Sequence, residues 1–262
     1  MFFQSNVIRV VQITDPHLGK IPGDTLLGVD TDQSLRDVLG QLPKSEMVVA
    51  SGDLSNDGSP ESYRRFADTL AEHQINIWSC LPGNHDDLDV MKRVLGPAVI
   101  NPVQVMGSWL LLHLNSRVPG FEHGDLSDNE LTFLDKTLAR HSGMNAMVFL
   151  HHQPVPVGSA WLDQYVVRSS DRFFETLDKH NNVRAVAWGH VHQDFQAVRN
   201  GVKLFGSPST CAQFKPNNDE FAVDTAMPGY RLFELHKDGS LNTQVNRVSQ
   251  RDYQIDLASN GY

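Results

Sequence analysis

Short apolar runs that break off at an Asp, Asn or His constrain this chain more than any other feature. Residues 7–14 lead to Asp15-Pro16-His17, and residues 47–50 to Ser51-Gly52-Asp53. Residues 75–81 stop at Pro82 and open into Gly83-Asn84-His85-Asp86. Further on, residues 146–150 end at His151-His152, and residues 183–187 at Trp188-Gly189-His190-Val191-His192. Runs this short and this apolar read as buried strands. In open α/β sheets the carboxyl ends of such strands are where ligands bind.

Helical patterns separate the strands. Leu35, Val38 and Leu42 form one stripe, preceded by Asp30 or Thr31 as a cap. Pro60 suits the first position of a helix over residues 60–72. Helices are also expected near residues 88–95 and 171–180. Ser127 and Glu130 make a capping box ahead of an apolar stripe of Leu131, Leu134 and Leu138. Residues 103–106 and 109–114 read as a hairpin across Gly107-Ser108. From about residue 194 the pattern changes to strands near 195–198, 202–205, 230–235 and 241–248, with Asn200-Gly201 and Asp238-Gly239 as hairpin signals. The expected architecture is α/β (α+β): β/α units first, mainly antiparallel strands last, in two packed sheets with helices outside. With no repeat or linker-like stretch, residues 1–262 are expected to form a single domain.

Hydrophobic residues are 40% of the chain and charged residues 20%, as in a soluble globular protein. No apolar run approaches the ~18 residues that cross a bilayer. Residues 1–6 lack the pattern of a secretory signal. Cys80 and Cys211 read as free thiols of a reducing cytoplasm. The net charge of −9 argues against a nucleic acid polymer as partner, since that would require a basic face. A small anion held through metal ions stays compatible with such a charge.

The side chains at the strand ends are all oxygen or imidazole donors. Asp15-x-His17 and His190-x-His192 would set two side chains on one face of extended backbone, through period-two alternation. One segment could then grip one ion or two adjacent ones. Cysteine is absent from the set, which suits a hydrolytic centre better than a structural zinc site. Singly, Gly52-Asp53 is an ordinary turn and Asp15-Pro16 an ordinary turn starter. Their joint recurrence at strand ends favours metal.

Asp15-x-His17, Gly52-Asp53, Gly83-Asn84-His85-Asp86, His151 and Gly189-His190-x-His192 resemble, in order, the five motifs of the calcineurin-like metallophosphoesterases. Residues 26–31, 151–156, 161–164, 208–216 and 228–232 are similar to segments of the bacterial class III cyclic AMP phosphodiesterases. The resemblance implies a four-layer α/β/β/α sandwich of two mixed sheets. It also implies two metal ions, iron, manganese or zinc. Asp15, His17, Asp53 and His192 would hold one ion, and Asp53, Asn84, His151 and His190 the other. Asp53 would bridge, as two cations ~3.5–4 Å apart need an anion between them.

The same resemblance implies hydrolysis of 3′,5′-cyclic AMP to 5′-AMP, with His17, Asp53, Asn84, His85 and His192 contacting the substrate. His85, not needed as a ligand, is assigned to the phosphate and the leaving oxygen as donor or general acid. Asp86 either orients His85 or caps the helix that begins near Asp87. His152 is expected to turn away from His151 and to pack. Residues 18–30 and 154–168 are expected to rim the pocket and select the base. Alternatives are a broader phosphodiesterase, acting on 2′,3′-cyclic nucleotides or other diesters, and a non-catalytic scaffold. The expected setting is cytoplasmic, without membrane, as monomer or homodimer.

Overall fold

The structure is a computed structural model that describes residues 7–249 and 251–261; the expectation about residues 1–6 lies outside these. The first part contains strand β1 (Val7–Ile13), a small hairpin of β2 (Thr25–Leu26) and β3 (Val29–Asp30), helix α1 (Thr31–Leu39), β4 (Met47–Ala50), α2 (Pro60–Glu72), β5 (Trp78–Cys80) and α3 (Leu88–Leu95). Next come β6 (Val103–Met106), β7 (Trp109–His113), α4 (Asp128–Arg140), β8 (Asn145–Phe149), α5 (Ala160–Asp163), α6 (Ser170–Leu177) and β9 (Val183–Trp188). Strands close the chain: β10 (Phe195–Arg199), β11 (Val202–Gly206), β12 (Gln213–Phe214), β13 (Val223–Asp224), β14 (Gly229–His236) and β15 (Leu241–Arg247).

The helix starts follow their caps. Asp30 accepts from Gln33 N, and Ser59 stands before Pro60 and accepts from Ser62 N. Ser127 accepts from Glu130 N at 3.2 Å, but the Glu130 carboxylate turns to Asn115 N, so only half of the expected capping box closes. His73 and His141 cap the carboxyl ends of α2 and α4 through Nδ1, facing Thr69 O and Thr137 O.

One sheet has five strands in the order β15-β14-β1-β4-β5, with β1, β4 and β5 parallel. The other has six, β10-β11-β9-β8-β7-β6, in which β7, β8, β9 and β11 are parallel and the two edges antiparallel. The strands beyond residue 194 therefore complete both sheets. β11 departs from the antiparallel expectation because the returning strand of the β10–β11 hairpin, not the outgoing one, pairs with β9.

Alternation along the strands builds the layers. Val10, Val49, Leu111, Met147, Ala185 and Phe233 meet between the sheets. Their neighbours Val11 and Val48 face α1 and α2 with Leu35, Phe66 and Leu70. Leu110, Leu112, Val148 and Val186 face α4 and α6 with Leu134 and Phe173. Each such side chain contributes about 1.5–3 kcal/mol on full burial. The sandwich is the one the sequence reading expects. Polar groups also cross the inter-sheet layer: the Gln12 amide on β1 donates to Ser51 Oγ at 2.7 Å and to Trp188 O of β9 at 3.1 Å, and accepts from Ser207 Oγ at 2.7 Å, while the buried Arg231 of β14 donates to Gly206 O of β11 at 2.8 Å.

Candidate metal centre

The parallel strands of both sheets end at one edge and deliver their polar residues there. Asp15 and His17 follow β1, Asp53 follows β4, Asn84 and His85 follow β5, His151 follows β8, and His190 and His192 follow β9. The expected reason for the Asp-x-His and His-x-His spacing does not hold. Asp15 (φ 53°), His17 (φ 47°), Asp53 (φ 50°), His190 (φ 62°) and His192 (φ 48°) all lie in the left-handed region, not on extended backbone. Each such non-glycine conformation costs on the order of 1–3 kcal/mol and persists where the surroundings impose it. Here the loops are tied to each other: Asp15 N donates to Gly52 O and His17 N to Asp53 O, both at 3.0 Å.

The side chains converge. His17 Nε2 and His192 Nε2 stand 3.3 Å apart, and Asp15 Oδ1 lies 3.2 Å from His192 Nε2. Asp53 Oδ2 lies 3.2 Å from His151 Nε2 and 3.7 Å from His17 Nε2. Asn84 Oδ1 is 3.1 Å from His151 Nε2. Donor atoms of Asp15, His17 and His192, and of Asp15, Asp53 and His151, fall within 4.8 Å of one another. His151 Nδ1 faces Ser51 O and His192 Nδ1 faces Ala212 O, both at 2.9 Å. A carbonyl oxygen only accepts, so both Nδ1 atoms donate and the Nε2 lone pairs turn inward. Asn56 Oδ1, 3.2 Å from His17 Nδ1, orients the third ring alike. Lone pairs that face one another with carboxylates beside them fit cations. His190, 5% exposed, has neither ring nitrogen hydrogen-bonded among the described residues. An unsatisfied buried group of this kind costs about 1–3 kcal/mol unless an ion engages it. The donor set thus fits a pair of divalent ions with oxygen and imidazole ligands.

A family model described as "Calcineurin-like phosphoesterase" matches residues 8–194. The chain belongs to this family. It is 40% identical to the "3′,5′-cyclic adenosine monophosphate phosphodiesterase CpdA" of Vibrio vulnificus (strain CMCP6), across 98% of this chain and 96% of that protein. The protein of the same description from Escherichia coli (strain K12) is 39% identical, across 97% of this chain and 95% of its own. Among solved structures, a dimetal phosphatase from Danio rerio shares the fold with a TM-score of 0.62 at 14% identity, over 92% of this chain and 99% of that one.

In this calcineurin-like phosphoesterase Asp53 divides its carboxylate. Oδ1 accepts from His85 N at 2.9 Å, while Oδ2 points between His17 and His151. The backbone of residue 83 makes room for it: a Cβ there would lie 2.1 Å from Asp53 Oδ1. Gly83 is thus required for this close approach. Asp86 takes neither expected role. Asp87 caps α3, and the buried Asp86 carboxylate accepts from Leu54 N, Ser55 N, Gly83 N and Tyr63 OH, tying the β4 and β5 loops together. His85 Nδ1 is instead oriented by Asn56 O at 3.1 Å. One residue, Asn56, therefore positions both His17 and His85.

Electrostatics separate the imidazoles. Burial opposes charge on Asp15 and Asp53, yet His192 beside the first and His151 beside the second hold both carboxyls below their usual range. Burial brings His17 down to about 3 despite Asp53. Burial acts on His151 in the same sense, but Asp53 carries it up to about 9. Burial and the neighbouring His152 push His190 well below its ordinary value. For Asp86, burial and then the Asp53 charge raise the carboxyl to about 6.

His152 does not turn away as expected. Residues 151–152 lie past the end of β8, where strand alternation no longer operates. The His152 ring sits 4.8 Å from those of both His151 and His190, with Nδ1 2.8 Å from Ser116 Oγ. Residues 208–213 line the other side: Ser209 Oγ donates to Asp15 O, Thr210 N to Thr14 O, and Ala212 O receives His192. Cys211, with its thiol pushed up to about 12 by burial, is inert there.

A cavity of about 430 Å³ opens over Asn84, His85 and His190. Trp161, Gln164 and Tyr165 line it, as expected for residues 154–168. Residues 18–30 do not; residues 120–122 and 260–261 take that place.

Proposed function

We propose that this chain hydrolyses 3′,5′-cyclic AMP to 5′-AMP at a centre of two divalent metal ions. One observation carries this reading. Identity to the named cyclic AMP phosphodiesterases runs over 98% of the chain, well past residue 194 where the family match ends. The likeness therefore takes in loops and strands outside the metal motifs.

Asp15, His17, Asp53 and His192 would hold one ion, and Asp53, Asn84, His151 and His190 the other. Such a pair would supply positive charge for the phosphate oxygens and for lowering the pKa of the attacking water. Asp53 keeps Oδ2 for both sites because Oδ1 is committed to His85 N. In the reaction a water oxygen bonds phosphorus, the bond from phosphorus to O3′ breaks, and O3′ takes a proton. With Nδ1 donating to Asn56 O, the His85 imidazolium would use its Nε2–H to give that proton to O3′ or a hydrogen bond to the phosphate. His17, Asp53, Asn84 and His192 would face the phosphate from the metal side of the site. Asp86 acts as a positioning residue behind them.

We place the activity in the cytoplasm, a setting supported by two buried free thiols. The test is a hydrolysis panel with metal-reconstituted protein: 3′,5′-cyclic AMP, 3′,5′-cyclic GMP, 2′,3′-cyclic AMP, a nitrophenyl diester and a monoester. Highest kcat/KM on 3′,5′-cyclic AMP supports the reading. Turnover confined to the monoester overturns it.

A further inference from the structure

Residues 251–261 leave the sheets and run back to the cavity. Arg251 pairs with Asp37 Oδ1 at 2.9 Å, and Tyr253 OH donates to Asp37 Oδ2 at 2.7 Å. Both oxygens of one α1 carboxylate thus hold this segment. Tyr253 and Ile255 pack on Leu26, Val29, Cys211 and Ala212. Asp256 N donates to Leu27 O at 2.8 Å. At Gly28 (φ +82°) a Cβ would stand 1.9 Å from Gln254 O, so the β2–β3 hairpin is shaped to let the segment pass. At its far end Asn260 and Gly261 form part of the cavity wall, opposite the loops of residues 120–122 and 161–165.

The chemistry of that wall suits a flat heterocycle. Phe121, 58% exposed, and Tyr165 add aromatic rings to its lining. Asn260 offers an amide, a donor beside an acceptor, and this pattern matches the amino and N7 edge of adenine, whereas the Gln164 amide nitrogen is committed to Trp161 O at 2.7 Å. His85, beside them in the same cavity, is where the phosphate lies in the reading above.

We infer that residues 251–261 form a specificity element in which Asn260 reads the purine base, at a place set by Asp37 and the β2–β3 hairpin. This rests on the proposed phosphodiesterase activity. It also returns a role to residues 18–30, which touch the base only through the segment they hold.

The test uses the metal-loaded full chain and two variants, Asn260→Ala and Gly28→Ala. Steady-state kinetics are compared on cyclic AMP, cyclic GMP and bis(4-nitrophenyl) phosphate, a diester with no base. Both variants are expected to lose about tenfold more kcat/KM on cyclic AMP than on the nitrophenyl diester, through KM, with a narrower preference for adenine over guanine. Asn260 lies on the surface, so that variant keeps the question open to decision if Gly28→Ala folds poorly. An unchanged base preference and an unchanged ratio of cyclic AMP to nitrophenyl diester turnover in Asn260→Ala overturn the inference. A parent protein inactive on both diesters overturns the phosphodiesterase reading itself, and the segment's role with it.

Discussion

The two sheets arm their common edge differently. From the five-stranded sheet come Asp15 and Asp53, with the Asn84 amide and His17. From the six-stranded sheet come only imidazoles, His151, His190 and His192. All the fixed negative charge therefore sits on one side, and what each imidazole does depends on how close it comes to that charge. His151, 3.2 Å from Asp53, is carried up to about 9. His190, surrounded by other imidazoles, is driven well below the ordinary histidine range. Burial counts as well: it leads the causes at His190, and it brings His17, 3.7 Å from Asp53, down to about 3.

Removing the shared anion breaks the comparison most severely. Asp53→Ala is expected to abolish hydrolysis and to leave fewer than two ions per chain by metal analysis, whereas His190→Ala on the other sheet loses ions only on its own side. Next in size, His85→Ala keeps both ions while kcat falls by about 10²–10⁴-fold, measured at saturating substrate. Asn56→Leu removes the Oδ1 that faces His17 Nδ1 but keeps the main-chain carbonyl that faces His85, and metal affinity should fall by about 10–100-fold in competition with a chelator.

A pH series sharpens the contrast further. In the metal-free protein His151 carries a proton below about 9, and a ligand must be neutral, so metal and proton compete. Affinity should rise by about tenfold per pH unit as pH approaches 9 and then level off, with one proton released per chain in calorimetry. Smallest is Gln12→Leu, which takes the amide from Ser51 Oγ and the acceptor from Ser207 Oγ, leaving the latter only Arg231, and should cost about 1–3 kcal/mol in denaturant unfolding.

Much of this centre is legible from sequence, since each proposed ligand is a polar break in an apolar run, and such breaks stand out without any knowledge of pairing. Its geometry is not. Left-handed backbone at Asp15, His17, Asp53, His190 and His192 is imposed by hydrogen bonds between loops distant in sequence, such as His17 N to Asp53 O. Asn56 looks like any loop amide until the fold sets it beside two histidines. Asp86 adjoins His85 in the chain, yet its carboxylate points into a cage of backbone N–H groups that only the packed loops create. The role of residues 251–261 depends on a hairpin more than 220 positions away, between Thr25 and Asp30.

The Gln12 amide lies beneath all of this, hydrogen-bonded to the first sheet at Ser51 and to the second at Trp188. Because the ligands are divided between the sheets, any sliding of one sheet over the other would change the gap in which a cation pair must fit. Gln12 acts as the set screw of a caliper whose jaws are the strand ends. Tolerance for ions of different radius is thus decided partly by a neutral side chain that touches none of them.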